Sequence, residues 1–385
     1  MDRTELAGWL RLTLTPGIGN AAARKLLAAF GLPGDVFRQM AAALEQVVSG
    51  PLAAALQHPP DALAALLEQT WLWLQGSDDT GAARRIVTLG DAGYPAALLE
   101  LSDPPLMLYT LGAPAFDLQQ LGRSVGVVGS RNPTPQGLLN ARAFARALGE
   151  AGIVVVSGLA LGVDGAAHEG ALDAAGDRPL LATVALVGTG LDRVYPARHR
   201  DLARRIVRQG MLISEFPIGT PPLNQNFPKR NRLIAGLSLG TLVVEAALKS
   251  GSLITAREAS EQGKDVFAIP GSIHAPQSRG CHALIRQGAK LVESVQDILE
   301  ELRLPVEGGA GGGSAAMPAD QAAGHGSAAD NALLDALGHD PVSLDALGAR
   351  TGWGAGALQA RLLELELDGH VARLPGGLFQ RIASA

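Results

Sequence analysis

Asn226-Phe227-Pro228-Lys229-Arg230-Asn231-Arg232 sets three cations, two amides and one aromatic ring within seven residues. Cations packed that tightly repel one another, so a fold tolerates them where an extended anion arrives to neutralise them. Guanidinium forks beside amides suit phosphate oxygens and base edges. Phe227 has two readings: a ring on which a base stacks, or a plug for the core beneath the loop. A second cation-bearing turn, Gly129-Ser130-Arg131-Asn132-Pro133-Thr134-Pro135, comes earlier. Gly129 permits a tight turn, Thr134 can cap a helix, and Pro135 suits its first turn, where no N–H is needed. The free amides of that helix start attract anions, and Arg131 adds a fork. The alternative is a plain strand-to-helix turn with a surface arginine. Together the two segments point to nucleic acid.

Other glycine-rich turns recur along the chain. Ser157-Gly158-Leu159-Ala160-Leu161-Gly162-Val163-Asp164 lets backbone approach a ligand, and Asp164 can cap the following helix. His168, one turn on, reads as a packed histidine, because no nucleophile is spaced to use it. Gly188-Thr189-Gly190-Leu191-Asp192-Arg193 leads to Tyr195-Pro196, where the tyrosine either stacks a base or anchors its loop. Ser250-Gly251-Ser252 can offer hydroxyl and amide donors to a phosphate. Cys281 and His282 are adjacent, the wrong spacing for a metal pair on one face, so a structural cysteine is expected. These patterns call for no catalytic residue, cofactor or metal.

These turns need strands to hold them. Val125–Val128, Ile153–Val156, Leu181–Val187, Met211–Ser214, Thr241–Val244 and Val266–Ile269 are short apolar runs, with Lys290–Val292 a possible seventh, each separated by enough chain for a crossover helix. Continuous apolar strands imply burial on both faces, hence a mostly parallel, doubly wound α/β sheet. Ligands of such sheets sit beyond the C-terminal strand ends, where all the turns above fall.

Residues 1–80 alternate Leu/Ala-rich helical runs with Gly/Pro breaks and predict a small all-α domain. Its Pro16-Gly17-Ile18-Gly19 turn resembles a helix-hairpin-helix, used either on DNA phosphates or on protein. Residues 85–303 hold the sheet, and the Gly/Ala-rich stretch 304–329 reads as a flexible linker. In 330–385, three helical runs and two strand-like runs around Pro375-Gly376-Gly377 predict a winged helix. Its third helix carries Arg361 against Glu364, Glu366 and Asp368, so it is expected to touch protein or to bind DNA weakly.

The composition excludes a general polyanion coat: net charge is −5 over 385 residues, and pI is about 5.9. Cations cluster instead between Arg193 and Arg232, opposed there only by Asp201 and Glu215. Mean hydropathy is +0.17, yet no apolar run reaches the roughly 18 residues of a membrane span. The start, Met1-Asp2-Arg3-Thr4-Glu5, lacks a signal-peptide pattern, and the single cysteine permits no intrachain disulfide. A cytoplasmic protein is expected.

The ordered set Gly129-Ser130-Arg131, Ser157 to Asp164, Gly188-Thr189-Gly190-Leu191-Asp192, Tyr195-Pro196, Ser214-Glu215, Phe227 to Arg232, Ser250 to Thr255 and Pro270-Gly271-Ser272 resembles the DNA-processing protein A family (DprA/Smf). The likeness spans roughly residues 90–303. It implies an extended Rossmann-like fold, between a helical (SAM or helix-hairpin-helix-like) domain and a winged helix. It implies a homodimer without catalytic activity that binds single-stranded DNA and passes it to the RecA recombinase in natural transformation. The DNA pocket so implied comprises Arg131, Lys229, Arg230 and Arg232, with Asn231 in the same motif; Ser130, Asn132, Ser250, Gly251 and Ser252, from the turns beside them, are expected to contact the DNA as well. Many members carry Gly-Gly-Lys before the third strand; here Gly176-Asp177-Arg178-Pro179 stands, with Arg178 as the substitute. The competing expectation is a nucleotide enzyme resembling nucleoside-monophosphate phosphoribohydrolases. Against it, Pro270-Gly271-Ser272 lacks their glycine run and Glu245 precedes its Gly-Ser turn. A duplex-reading regulator is a third expectation, disfavoured by the acidic third helix.

Overall fold

The computed structural model describes residues 1–77, 81–304, 328–338, 341–374 and 376–382. Among them, nine strands form one sheet: β1 (Ala83–Thr88), β2 (Met107–Gly112), β3 (Ser124–Val128), β4 (Val154–Ser157), β5 (Thr183–Leu186), β6 (Gly210–Ser214), β7 (Gly240–Val243), β8 (Asp265–Ala268) and β9 (Lys290–Leu291). Their order is β1-β2-β6-β5-β4-β3-β7-β8-β9. From β6 to β9 all pairs are parallel, whereas β2 runs antiparallel to β6 and β1 antiparallel to β2.

Every residue of β3 to β7 is buried, because helices cover both faces. Val125, Val127, Val155 and Leu242 pack under the helices Pro135–Glu150 and Val163–Ala175. Val128, Val156, Val184 and Val243 pack on the other face against Leu233, Ile234 and Ala256 of the helices Asn226–Leu237 and Ser252–Glu261. From β3 the chain winds outward through β4, β5 and β6, then crosses back to start β7 on the opposite side of β3. The crevice at the C-terminal ends of β3 and β7 is therefore the switch point.

The pair β1 and β2 was not among the expected strands. It extends the sheet beyond β6 and joins it to the N-terminal helices, from Arg3–Leu14 to Leu63–Gln75. One core runs through both, with Trp9, Leu10 and Trp73 packed alongside Tyr109, Ile206 and Leu212. Trp73 meets Tyr109 edge-on at 6.1 Å. Asp164 also departs from expectation. Gly162 occupies the N-cap, and Asp164 lies within the first turn, reaching back to accept from the Ala160 amide at 3.3 Å.

The C-terminal part has its own core of Leu333, Leu347, Leu358, Leu362, Val371 and Phe379. Helix Ala328–Leu337 leads to the short strand β10 (Val342–Ser343), helices Leu344–Thr351 and Ala355–Leu367 follow, and β11 (Val371–Leu374) and β12 (Leu378–Arg381) complete a sheet ordered β10-β12-β11. That is a winged helix. The stretch expected to be a linker lies almost wholly outside the described residues.

Candidate nucleic-acid interface

A carboxylate clasp closes the switch point. The Ser130 amide donates to the Glu245 carbonyl at 2.7 Å, so the loop after β3 is tied to the loop after β7. The Glu245 side chain accepts from the Thr134 amide at 2.9 Å and from the Thr134 hydroxyl at 2.6 Å. Thr134 Oγ1 in turn accepts from the Gly137 amide at 3.0 Å, capping the helix as expected. Burial raises the Glu245 pKa, and the Thr134 bonds oppose that rise. From the other side, the Val163 amide donates to the Ser130 carbonyl at 3.1 Å. Gly162 sits at φ +82, and a Cβ there would overlap the Ser130 carbonyl oxygen. Held from both sides, the turn presents Arg131 and Asn132 to solvent.

The basic loop is not a loop. Asn226 to Arg232 forms the start of a helix, and the helical period divides its cations. Arg230 is only 4% exposed. Its guanidinium donates to the Gly158 carbonyl at 2.6 Å and to the Leu186 carbonyl, where β4 and β5 end. A Cβ on Gly158 would overlap that guanidinium and displace Arg230 from its carbonyls. Burial lowers the Arg230 pKa to about 10, against the pull of buried Asp164. Arg232 pairs with Glu215, at side-chain exposures of 11% and 6%, and burial raises the Glu215 pKa. Arg230 and Arg232 therefore brace the site from beneath, in place of the surface contacts expected. Lys229 faces solvent, and Asn231 Nδ2 donates to the Gly251 carbonyl at 3.4 Å.

The exposed groups converge on Phe227. Its half-buried ring lies over Gly188, where an added Cβ would stand 3.1 Å from Cδ1. Tyr195, 48% exposed, lies with its ring centroid 5.6 Å from that of Phe227. The Arg131 guanidinium carbon stands 5.7 Å from the Phe227 centroid. Tilted ring contact and a cation over a π-face are both favourable geometries. Together they make a platform whose Arg131 and Tyr195 side chains are exposed to solvent. Phe227 thus closes the floor over Gly188, with part of its ring still exposed. Asn226, counted above with the amides suited to phosphate, is instead buried and fixes this helix start by donating from Nδ2 to the Gly188 carbonyl at 3.0 Å. Its signal was its place one turn before Arg230 on the buried stripe.

Ser250, Gly251 and Ser252 open the helix Ser252–Glu261 beside Asn231. The two serine hydroxyls share a bond of 2.7 Å, and Ser252 is buried, which leaves Gly251 the exposed member. Arg178 does not join the group. It follows the helix Val163–Ala175 and precedes β5, so it lies at the N-terminal edge of the sheet, donating to the carbonyls of Ala174 and Ala175. Among the described residues no group of three His, Cys, Asp or Glu could hold a metal ion. Cys281 is fully buried, with its pKa pushed up to about 12 by that burial.

Residues 85–303 match the family described as DNA recombination-mediator protein A, and residues 317–377 match the DprA winged helix domain. Protein Smf of Escherichia coli (strain K12) is 40% identical over 320 residues, which cover 81% of this chain and 80% of that protein. The X-ray structure of DNA processing protein A from Streptococcus pneumoniae aligns with a TM-score of 0.64 and 36% identity, covering 78% of this chain and 98% of that one. DNA processing protein A from Helicobacter pylori, solved for its single-stranded DNA binding mode, aligns with a TM-score of 0.50 and 32% identity, covering 57% of this chain and 96% of that one.

Proposed function

The chain belongs to the DNA recombination-mediator protein A family, and from that premise we propose that it binds single-stranded DNA on the platform of Arg131, Phe227 and Tyr195. The observation that carries this reading is the Arg131 guanidinium over the Phe227 ring with Tyr195 against it, at the C-terminal edge of the sheet. Rings stack any base, and a guanidinium neutralises any phosphate, so the ligand is a strand with exposed bases, bound with little sequence preference. Ser130, Asn132, Lys229, Asn231 and Gly251 surround the platform and extend its contacts to the backbone. The Helicobacter pylori relative's single-stranded DNA binding mode supports the same ligand here.

The bound strand is then passed to a RecA-type recombinase, during natural transformation or recombination, by a cytoplasmic homodimer with no chemical step of its own. Three carboxylates near the platform are already engaged. Glu245 is held by Thr134, Glu215 by Arg232, and Asp164 by backbone amides. This argues for binding over the phosphoribohydrolase-like reading, which needs a carboxylate directed at the substrate. In the winged helix, Arg361 is bound to Asp330 and Glu364, so the cation of the helix that would read a duplex is already neutralised. The module fits a protein partner better.

Fluorescence anisotropy of a labelled single-stranded oligonucleotide, across a salt series with matched duplex as competitor, tests this. Wild type is expected to prefer the single strand, and Arg131→Ala to lose that binding. An Arg131→Ala protein with wild-type affinity, or a wild type indifferent to strandedness, would overturn the platform. Release of ribose 5-phosphate from a nucleoside monophosphate by pure protein would restore the enzyme reading.

A further inference from the structure

The platform leaves the densest cationic feature of the chain unused. Arg198, Arg200, Arg204, Arg205 and Arg208 place five arginines within eleven positions, against Asp201 alone, in a protein of net charge −5. The helix Arg200–Gln209 buries Leu202, Ala203, Ile206 and Val207. Arg200, Arg204 and Arg208 therefore align on the opposite, exposed face at successive i, i+4 steps, about 12 Å from first to last. Arg204 keeps 63% of its side chain exposed beside Asp201, itself 92% exposed. Arg205 turns to Asp173, which Arg142 also engages. No ion pair to Arg198, Arg200 or Arg208 is present among the described residues.

This row starts at the platform. Tyr195-Pro196 leads into the turn Ala197–His199, which runs straight into the helix. His199 Nδ1 lies 2.9 Å from the Leu159 carbonyl, next to the Gly158 carbonyl that receives Arg230. A Cβ on Gly165 would stand only 2.7 Å from the His199 ring, so the turn is packed tightly on the loop after β4. The helix connects the end of β5 to the start of β6, and so runs from the platform edge of the sheet toward the opposite edge.

We propose that the arginine row Arg200, Arg204 and Arg208 is a second nucleic-acid track, which holds the backbone of the strand after it leaves the Arg131–Phe227–Tyr195 platform. The proposal rests on the single-strand reading above. The residue type suits it, because guanidinium forks pair with phosphates in two bonds at once. The regular spacing on one face suits a repeating anion better than the irregular surface of an acidic protein.

The test is anisotropy with oligothymidylates of about 6 and about 20 nucleotides, bracketing the ~4–16-nucleotide sites of single-strand binders. Wild type is compared with a combined Arg200→Gln, Arg204→Gln, Arg208→Gln variant and with its lysine counterpart. The glutamine variant should bind the short strand as wild type does and lose the gain on the long one. Three phosphates at about 0.7 each steepen the log–log salt slope by about 2, so over a fourfold rise in salt wild-type affinity for the long strand falls about 20-fold further than the variant's. The lysine variant should retain most of that slope. An unchanged slope in the glutamine variant, with its thermal melt unchanged, overturns the track. So would loss of binding to an acidic polypeptide such as polyglutamate with full retention of long-strand affinity, which would assign the face to protein. Arg131→Ala on the short strand judges the platform separately, so failure of one reading does not hide failure of the other.

Discussion

Arg230 and Arg131 are both arginines near the same ring, yet they have opposite environments. Arg131 is exposed; replacing it by alanine should change folding stability by no more than about 0.5 kcal/mol, the usual range for such surface positions. Arg230 is buried between two strand-end carbonyls and Asp164. Arg230→Ala would leave those carbonyls and a buried carboxylate uncompensated, at a cost of about 3–5 kcal/mol. Urea unfolding of the two variants should separate them: a large midpoint drop for Arg230→Ala, almost none for Arg131→Ala. Equal midpoints would mean that Arg230 is not a brace. The signal for this difference was present in the sequence as period rather than charge. Asn226, Arg230, Ile234 and Leu237 fall on one helical stripe, and all are buried. Reading the segment as a loop hid that stripe, because the prolines before it and Pro228 within it suggested a chain without a helical repeat. For Arg178, a cation at the right sequence distance from a strand was mistaken for one at the right end of that strand.

At the scale of elements, the decisive contact is the Glu245 clasp between the loops after β3 and β7. Thr134 does two tasks there: it caps the helix Pro135–Glu150 and satisfies a half-buried carboxylate. Thr134→Ala should therefore lower stability by about 1–2 kcal/mol, the upper part of the N-cap range. It should also weaken oligonucleotide binding, because the turn bearing Arg131 loses its anchorage. Thr134→Ser, which keeps the hydroxyl, should restore both in the same unfolding and anisotropy measurements; a serine variant as weak as the alanine one would count against the clasp. The cap was legible from Thr134-Pro135, since both residues act locally. The clasp was not, since Glu245 lies 111 residues away and only the strand order brings it close. The same distinction holds for the sheet. Strands β3 to β8 were readable as unbroken apolar runs because helices cover both faces. The β1 segment Ala-Arg-Arg-Ile-Val-Thr is only half-buried and carries two arginines, so its identity depends on pairing with β2, which no local pattern reveals.

For the molecule as a whole, pH exposes a buried switch in stability. His168 is fully buried between the helix Val163–Ala175 and the sheet. Thr183 donates its hydroxyl hydrogen to the Val155 carbonyl at 2.6 Å, so it must accept from His168 Nδ1–H at 2.7 Å. The remaining nitrogen, Nε2, is buried without a partner. Protonation would place a charge there with nothing to solvate it, and nearby His199 and Arg230 add repulsion. Burial, the larger cause, pushes the pKa from 6.5 to about 3. A depressed folded pKa means that this group's contribution is fully present above the unfolded value and is lost as pH falls toward the folded one. Between pH 7 and pH 5 the unfolded chain takes up about 0.7 of a proton that the native state refuses, and integrated over that interval the difference is worth about 2 kcal/mol at 1.36 kcal/mol per unit. Asp164, Glu215 and Glu245 act in the opposite direction, since burial raises each of them above its ordinary value and acid then favours the folded state. Total stability consequently mixes the two trends, and a single acid titration cannot assign them. A His168→Gln variant can, because its amide can still donate to Thr183 but does not titrate. Urea unfolding of both proteins at pH 7 and pH 5 should show wild type losing about 2 kcal/mol more than the variant over that interval. Parallel losses would mean that the native state admits a proton at His168.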